Sequence, residues 1–111
     1  MRTVDWDNTS QQVLMIDQRL LPGEYRVVSL ENYHQVIDAI RDMVVRGAPA
    51  IGASAAFGMA LAARASKSEN IDDMRNDLSV AAEAMIAARP TAANLAWAVD
   101  RILREIGRAH V

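Results

Sequence analysis

The chain has 111 residues, 12 Lys and Arg against 14 Asp and Glu, a formal charge of −2 and 51% hydrophobic residues. That length supports one hydrophobic core, and that apolar content is too high for a disordered chain. No cysteine is present, which excludes disulfides, thiolate zinc sites and a cysteine nucleophile, and the balanced charge leaves no global footprint for nucleic acid or an anionic membrane.

The N-terminus, Met1-Arg2-Thr3-Val4-Asp5-Trp6-Asp7, turns acidic where a secretion signal would become apolar. The first thirty residues then read as two or three short strands. Val13-Leu14-Met15-Ile16-Asp17 is a compact apolar run, Leu21-Pro22-Gly23-Glu24 is a turn, and Tyr25-Arg26-Val27-Val28-Ser29 has β-branched and aromatic character. Strands this short cannot stand alone, so they must lean on something larger. Trp6 is a candidate for packing that layer onto the rest.

From Asn32 onward the pattern is helical. Val36, Ile37, Ile40, Met43 and Val44 recur at 3.6-residue spacing, with Ser29 or Asn32 as cap, and the helix is expected to end near Val45 before Gly47 and Pro49. Pro49 suits the first turn of a second helix, which small residues carry to residue 65. Its uncharged part, residues 48–63, is 16 residues long and rich in Ala and Gly. A bilayer span needs ~20 strongly apolar residues, so a buried helix in a cytoplasmic protein is expected. Residues 66–70 form a loop. Ile71, Met74, Leu78, Ala81, Ala82 and Met85 mark a third helix that ends before Pro90, and Thr91 caps a fourth bearing Leu95, Val99 and Ile102. The expected fold is α+β, a small N-terminal strand layer with a four-helix cluster.

The last six residues, Ile106-Gly107-Arg108-Ala109-His110-Val111, neither extend the apolar stripe well nor form a natural end. They back-translate to ATC GGA AGA GCA CAC GTC, a common sequencing-adapter stretch. We expect residues 1–105 to be a truncated N-terminal domain and residues 106–111 a non-native tail.

Two motifs can carry chemistry. In Val45-Arg46-Gly47-Ala48-Pro49-Ala50-Ile51-Gly52, an Arg and a flexible Gly precede a helix start. Unpaired amides and a partial positive charge make such starts good anion sites, and a guanidinium adds a charged fork. Alternatively Gly47 is simply a helix C-cap and Arg46 a solvated charge. Arg89-Pro90-Thr91-Ala92-Ala93-Asn94 repeats the theme, although an ordinary capped helix also explains it. Together the two motifs suggest one anionic pocket where two helix N-termini meet. Asp72, Asp73 and Asp77 read as solvated charges near a helix start, His34 has no metal or triad partner at usable spacing, and Trp97 and Met85 read as core or interface residues. The sequence offers no general acid and base pair.

The run Met43-Val44-Val45-Arg46-Gly47-Ala48-Pro49-Ala50-Ile51-Gly52, with Ala55-Ala56-Phe57-Gly58 and Arg89-Pro90-Thr91-Ala92-Ala93-Asn94-Leu95-Ala96-Trp97-Ala98-Val99-Asp100-Arg101, strongly resembles the methylthioribose-1-phosphate isomerases. Trp6, the stretch from Ile16 to Pro22 and Ala39-Ile40-Arg41-Asp42 fit as well. The wider superfamily includes ribose-1,5-bisphosphate isomerases and regulatory subunits of the initiation-factor exchange complex. The resemblance implies a methionine-salvage enzyme that converts an aldose phosphate to a ketose phosphate without a cofactor or metal. It implies a small N-terminal domain before a larger Rossmann-like domain, and a homodimer. Arg46, Gly47 and Ala48 would contact substrate and Arg89 would hold its phosphate. The family's catalytic Cys and Asp lie in the C-terminal domain, so no catalytic residue is assigned here and the 111-residue polypeptide is expected to be inactive. A non-catalytic regulatory subunit is the alternative, and a plain helical interaction module is a third reading.

Overall fold

The structure, a computed structural model, describes residues 3–66 and 70–109. Three strands, β1 (Val4–Asp7), β2 (Gln12–Ile16) and β3 (Val27–Leu30), form an antiparallel sheet in the order β1-β2-β3. Trp6 lies opposite Val13 and Met15 opposite Val28. Alternation along β2 sends Val13 and Met15 fully into the core while Leu14 points away from it. Between β1 and β2 the Asp7 carboxylate accepts from the Thr9 amide at 3.2 Å and the Ser10 hydroxyl at 2.6 Å, closing the turn. These bonds, the Ser10 hydroxyl foremost, hold the Asp7 carboxyl below its ordinary value. β3 starts at Val27 rather than Tyr25, which is left exposed before the strand begins.

Four helices follow: α1 (Tyr33–Arg41), α2 (Ala48–Ala65), α3 (Ile71–Ala88) and α4 (Ala93–Ala109). Asn32 caps α1 by accepting from the Gln35 amide at 2.9 Å, and Gln35 answers by accepting from the Glu31 amide at 2.6 Å. α1 stops at Arg41, short of the expected end near Val45. The Met43 amide donates to the Ile40 carbonyl at 3.3 Å and the Val44 amide to the Ala39 carbonyl at 2.9 Å. This pair of bonds is a Schellman closure, and it requires the left-handed backbone found at Met43, φ 64°. Val44 and Val45 therefore reach the core from a loop, although their spacing imitates a continuing helix.

α2 is the central element, packed against the other three helices and against β1 and β2. Its buried positions include Ile51, Ala55, Gly58, Met59 and Ala62, and Phe57 stacks on Trp6 with ring centres 6.0 Å apart. Trp6 thus joins sheet to helices as expected. Asn70 caps α3 by accepting from the Asp72 amide at 2.8 Å, and Leu78, Ala81 and Met85 of that helix are fully buried. Before α4 the flanking residue is Ala92 rather than Thr91, because the Ala92 carbonyl accepts from the Leu95 and Ala96 amides. Leu95 and Val99 fill the core, but Trp97 is 61% exposed, which removes the core half of its core-or-interface reading. The Arg101 guanidinium lies 5.5 Å from the centre of that ring. The helix takes in the first four positions of the six-residue tail; their side chains, and residues 110–111 entirely, lie outside the described residues. Among the described residues no helix is long and apolar enough to cross a membrane.

Two glycines of α2 separate close packing from mere helix propensity. A Cβ on Gly58 would lie 2.6 Å from Met85 Cε and 3.0 Å from Val36 Cγ1, and both side chains are fully buried. A Cβ on Gly52 would meet only ordinary contact, 3.6 Å from the Asn94 carbonyl oxygen. Gly52→Ala should raise stability by about 0.5–1 kcal/mol through helix propensity. Gly58→Val should lower it by about 1–3 kcal/mol through overpacking. Urea denaturation of the two variants measures both signs.

Candidate anion-binding site

The turn from α1 to α2 carries the first motif. Val45 is fully buried, so the chain must emerge immediately afterwards, and Arg46 comes out exposed. Gly47 then takes φ 94° and ψ 134°, a backbone region that a side chain strains by about 1–3 kcal/mol. A Cβ there would meet nothing within 4 Å, so the demand is conformational and the space in front of the backbone is open. Gly47 is the N-cap of α2, not a C-cap of α1, and with Pro49 in the first turn the helix start has no side-chain cap. Its leading amides, at Ala48 and Ala50, are left for another acceptor.

The second motif arrives at the same place. Arg46, Gly47 and Ala48 from one turn and Arg89, Thr91 and Asn94 from the other line a single hollow of about 440 Å³. The start of α4 borders it through Ala92 and Ala93, so two helix N-termini open toward one space. No carboxylate lines the hollow. Among the described residues Arg19, Arg26, Arg41 and Arg104 are each paired with an acidic side chain, whereas Arg46 and Arg89 form no ion pair. Two uncompensated guanidinium groups beside two positive helix ends leave a local excess of positive charge. What this arrangement can do chemically is bind a multiply charged oxyanion, with the planar forks reaching its oxygens.

Four residues were named from the sequence, Arg46, Gly47, Ala48 and Arg89, and the structure brings all four together. It adds Met43, Thr91 and Asn94 to the lining. Spacing gave no sign of Met43, because its helical register pointed it at the core. A brace behind the loop has no local sequence signal. The Gln18 amide donates to the Val44 carbonyl at 2.8 Å, tying the single 3-10 turn Gln18–Leu20 to the arginine-bearing loop. Asp17 fixes that turn. Only 3% exposed, its carboxylate accepts from the Arg19 amide at 3.0 Å and from Arg19 Nε and Nη2 at 3.0 and 2.8 Å. The Arg19 side-chain bonds hold the Asp17 carboxyl below its ordinary value, against the opposing effect of burial.

Residues 44–111, which contain both motifs, match the Initiation factor 2 subunit family, and the chain belongs to that family. Within it the chain is 51% identical over 98 residues to the methylthioribose-1-phosphate isomerase of Synechococcus sp., covering 88% of this chain and 28% of that protein. The crystal structure of 5-methylthioribose 1-phosphate isomerase from Pyrococcus horikoshii superposes with a TM-score of 0.89 at 44% identity, over 96% of this chain and 30% of that one. The delta subunit of translation initiation factor eIF-2B from A. fulgidus superposes with a TM-score of 0.85 at 38% identity, over 94% and 30%. The chain thus spans about 30% of the length of the relatives it matches.

Because the Asp17 carboxyl is lowered in the folded state, its stabilising contribution is complete at neutral pH. It disappears as pH falls through that lowered value. The gap in melting temperature between the native chain and Asp17→Asn should be widest at neutral pH and close in strong acid. A gap of constant size across that range, measured by circular dichroism, would contradict the assignment.

Proposed function

We propose that the hollow binds the phosphate of methylthioribose 1-phosphate, and that this chain is the substrate-phosphate part of an aldose–ketose isomerase of methionine salvage. One observation carries the reading: Arg46 and Arg89, unpaired, line one hollow at two helix starts. The names of the related proteins supply the sugar, and the local chemistry supplies the phosphate. Arg46 and Arg89 grip the phosphoryl oxygens, while the Gly47 and Ala48 amides reach the ligand where no side chain intervenes.

In the whole reaction the sugar ring opens and a hydrogen passes from the second carbon to the first, one carbon being reduced as the other is oxidised. No external oxidant is required. The polar groups bordering the hollow are guanidinium, hydroxyl and amide, which hold charge and orient but provide no carboxylate or imidazole for proton transfer. The resemblance assigns that step to a Cys and an Asp in the family's C-terminal domain. We therefore expect no turnover by the 111-residue chain. In this reading the enzyme is cytoplasmic and homodimeric.

The similarity to the A. fulgidus delta subunit supports a second reading, a regulatory subunit of an initiation-factor exchange complex. Its fold is nearly the same, so the fold does not discriminate; ligand chemistry at the hollow does. A sugar-bisphosphate isomerase would use the same two arginines on a different substrate.

Titration of the isotopically labelled chain with inorganic phosphate, followed by amide NMR, tests the site. Shifts should concentrate at residues 46–48 and 89–94, with a dissociation constant on the order of millimolar, as a few solvent-screened contacts allow. Arg46→Ala and Arg89→Ala should each weaken binding roughly fivefold, about 1 kcal/mol for one exposed charge-assisted contact. A helical docking module would show no shifts at these positions.

A further inference from the structure

Met43 is a residue whose cost to the fold is visible and whose benefit to the fold is not. It occupies the position after the last α1 residues that closes a Schellman motif, where glycine or asparagine is favoured, and it does so at φ 64°. Its neighbours Val44 and Val45 are buried, but the Met43 side chain is 44% exposed and contributes nothing to the core cluster. A strained backbone that also exposes a large apolar side chain is a feature to explain by what the side chain faces. Met43 faces the hollow, on the same lining as Arg46 and Arg89. Beside it Ala48, Ile51 and Ala92 complete an apolar wall next to the cationic groups.

The hollow thus offers two chemistries: positive charge for a phosphate, and a soft, polarizable wall for a group of low polarity. We infer that Met43 is a specificity-determining residue, its thioether packing against the 5-methylthio group of the bound sugar phosphate and disfavouring the 5-hydroxyl analogue. This rests on the reading of the hollow as a sugar-phosphate site. The physics is ordinary. A methylthio group loses little by leaving water and gains dispersion contacts with a flexible thioether, whereas a hydroxyl placed there forfeits its hydrogen bonds to water. Discrimination by an apolar wall of this kind is modest, on the order of tenfold in an open site.

The test measures a ratio. The native chain and its variants are titrated by amide NMR with 5-methylthioribose 1-phosphate and with ribose 1-phosphate, and the preference is the quotient of the two dissociation constants. Met43→Gln keeps length but removes the apolar end, and should cut the preference roughly five- to tenfold. Met43→Leu keeps the apolar wall and should hold the preference within about twofold, as a volume-conserving apolar exchange. Met43→Gly should abolish the preference while its melting temperature stays level or rises, because the left-handed backbone is relieved. A preference unchanged in Met43→Gln and Met43→Gly, with phosphate binding still dependent on Arg89, would overturn the role of Met43 alone. Ligand binding indifferent to Arg89→Ala would overturn the sugar-phosphate reading, and this inference with it.

Discussion

The reversal between α1 and α2 must bury Val44 and Val45 and then return the chain to the head of the central helix. The α1–α2 side of the hollow follows from how that demand is met. The Val44 amide is committed to the Ala39 carbonyl and the Val44 carbonyl to the Gln18 amide, so this residue is held from both sides. With the loop pinned there, the positive φ angles at Met43 and Gly47 set the directions of entry and exit. Arg46 lies between two fixed points, and its outward course is a consequence of the buried valine before it. The sheet is part of the same constraint: its role at the site is to hold the 3-10 turn that holds the loop.

Charge explains why the space so formed suits an anion. Among the described residues Arg41 on α1, Arg104 on α4 and Arg19 at the Asp17 turn are each held in an ion pair. Exposed pairs of that kind add little stability, but they leave little net field. The two arginines bordering the hollow form no such pair, and they stand beside helix starts whose amides have no side-chain cap at α2. Like charges brought to one place are mildly unfavourable until an anion arrives.

Much of this was readable from the chain itself. Motifs in which an arginine stands just before a helix start announced both halves of the hollow, and small residues along α2 announced close helix packing. The strand layer and the four helices also followed from periodicity and turn residues. Periodicity failed at Met43, Val44 and Val45, since burial recurs at helical spacing whether it is reached from a helix or from a pinned loop. At Trp97 aromatic character alone leaves core and interface positions open, and α4 turns the ring outward. Thr91 misled because the local cap preference was overridden by the Arg89 and Ala92 carbonyls, which close the turn with backbone bonds alone. The Asp17–Arg19 pair joins residues two apart, but its significance is the bond from Gln18 to Val44, a contact across the fold that no local pattern encodes.

The two solved relatives sharpen what a fold of this kind determines. An isomerase and an initiation-factor subunit superpose on the same chain with TM-scores of 0.89 and 0.85, so the helices and the sheet are compatible with either activity. Within this segment, what could distinguish such proteins is side chains that the backbone tolerates without requiring. Gly47 is not of this kind, because the turn itself demands it. Arg46, Arg89 and Met43 are: none contributes to the buried core, and at Met43 the backbone would be better served by another residue. Residues that the fold does not need, gathered on one hollow, are where the function of this chain is to be sought.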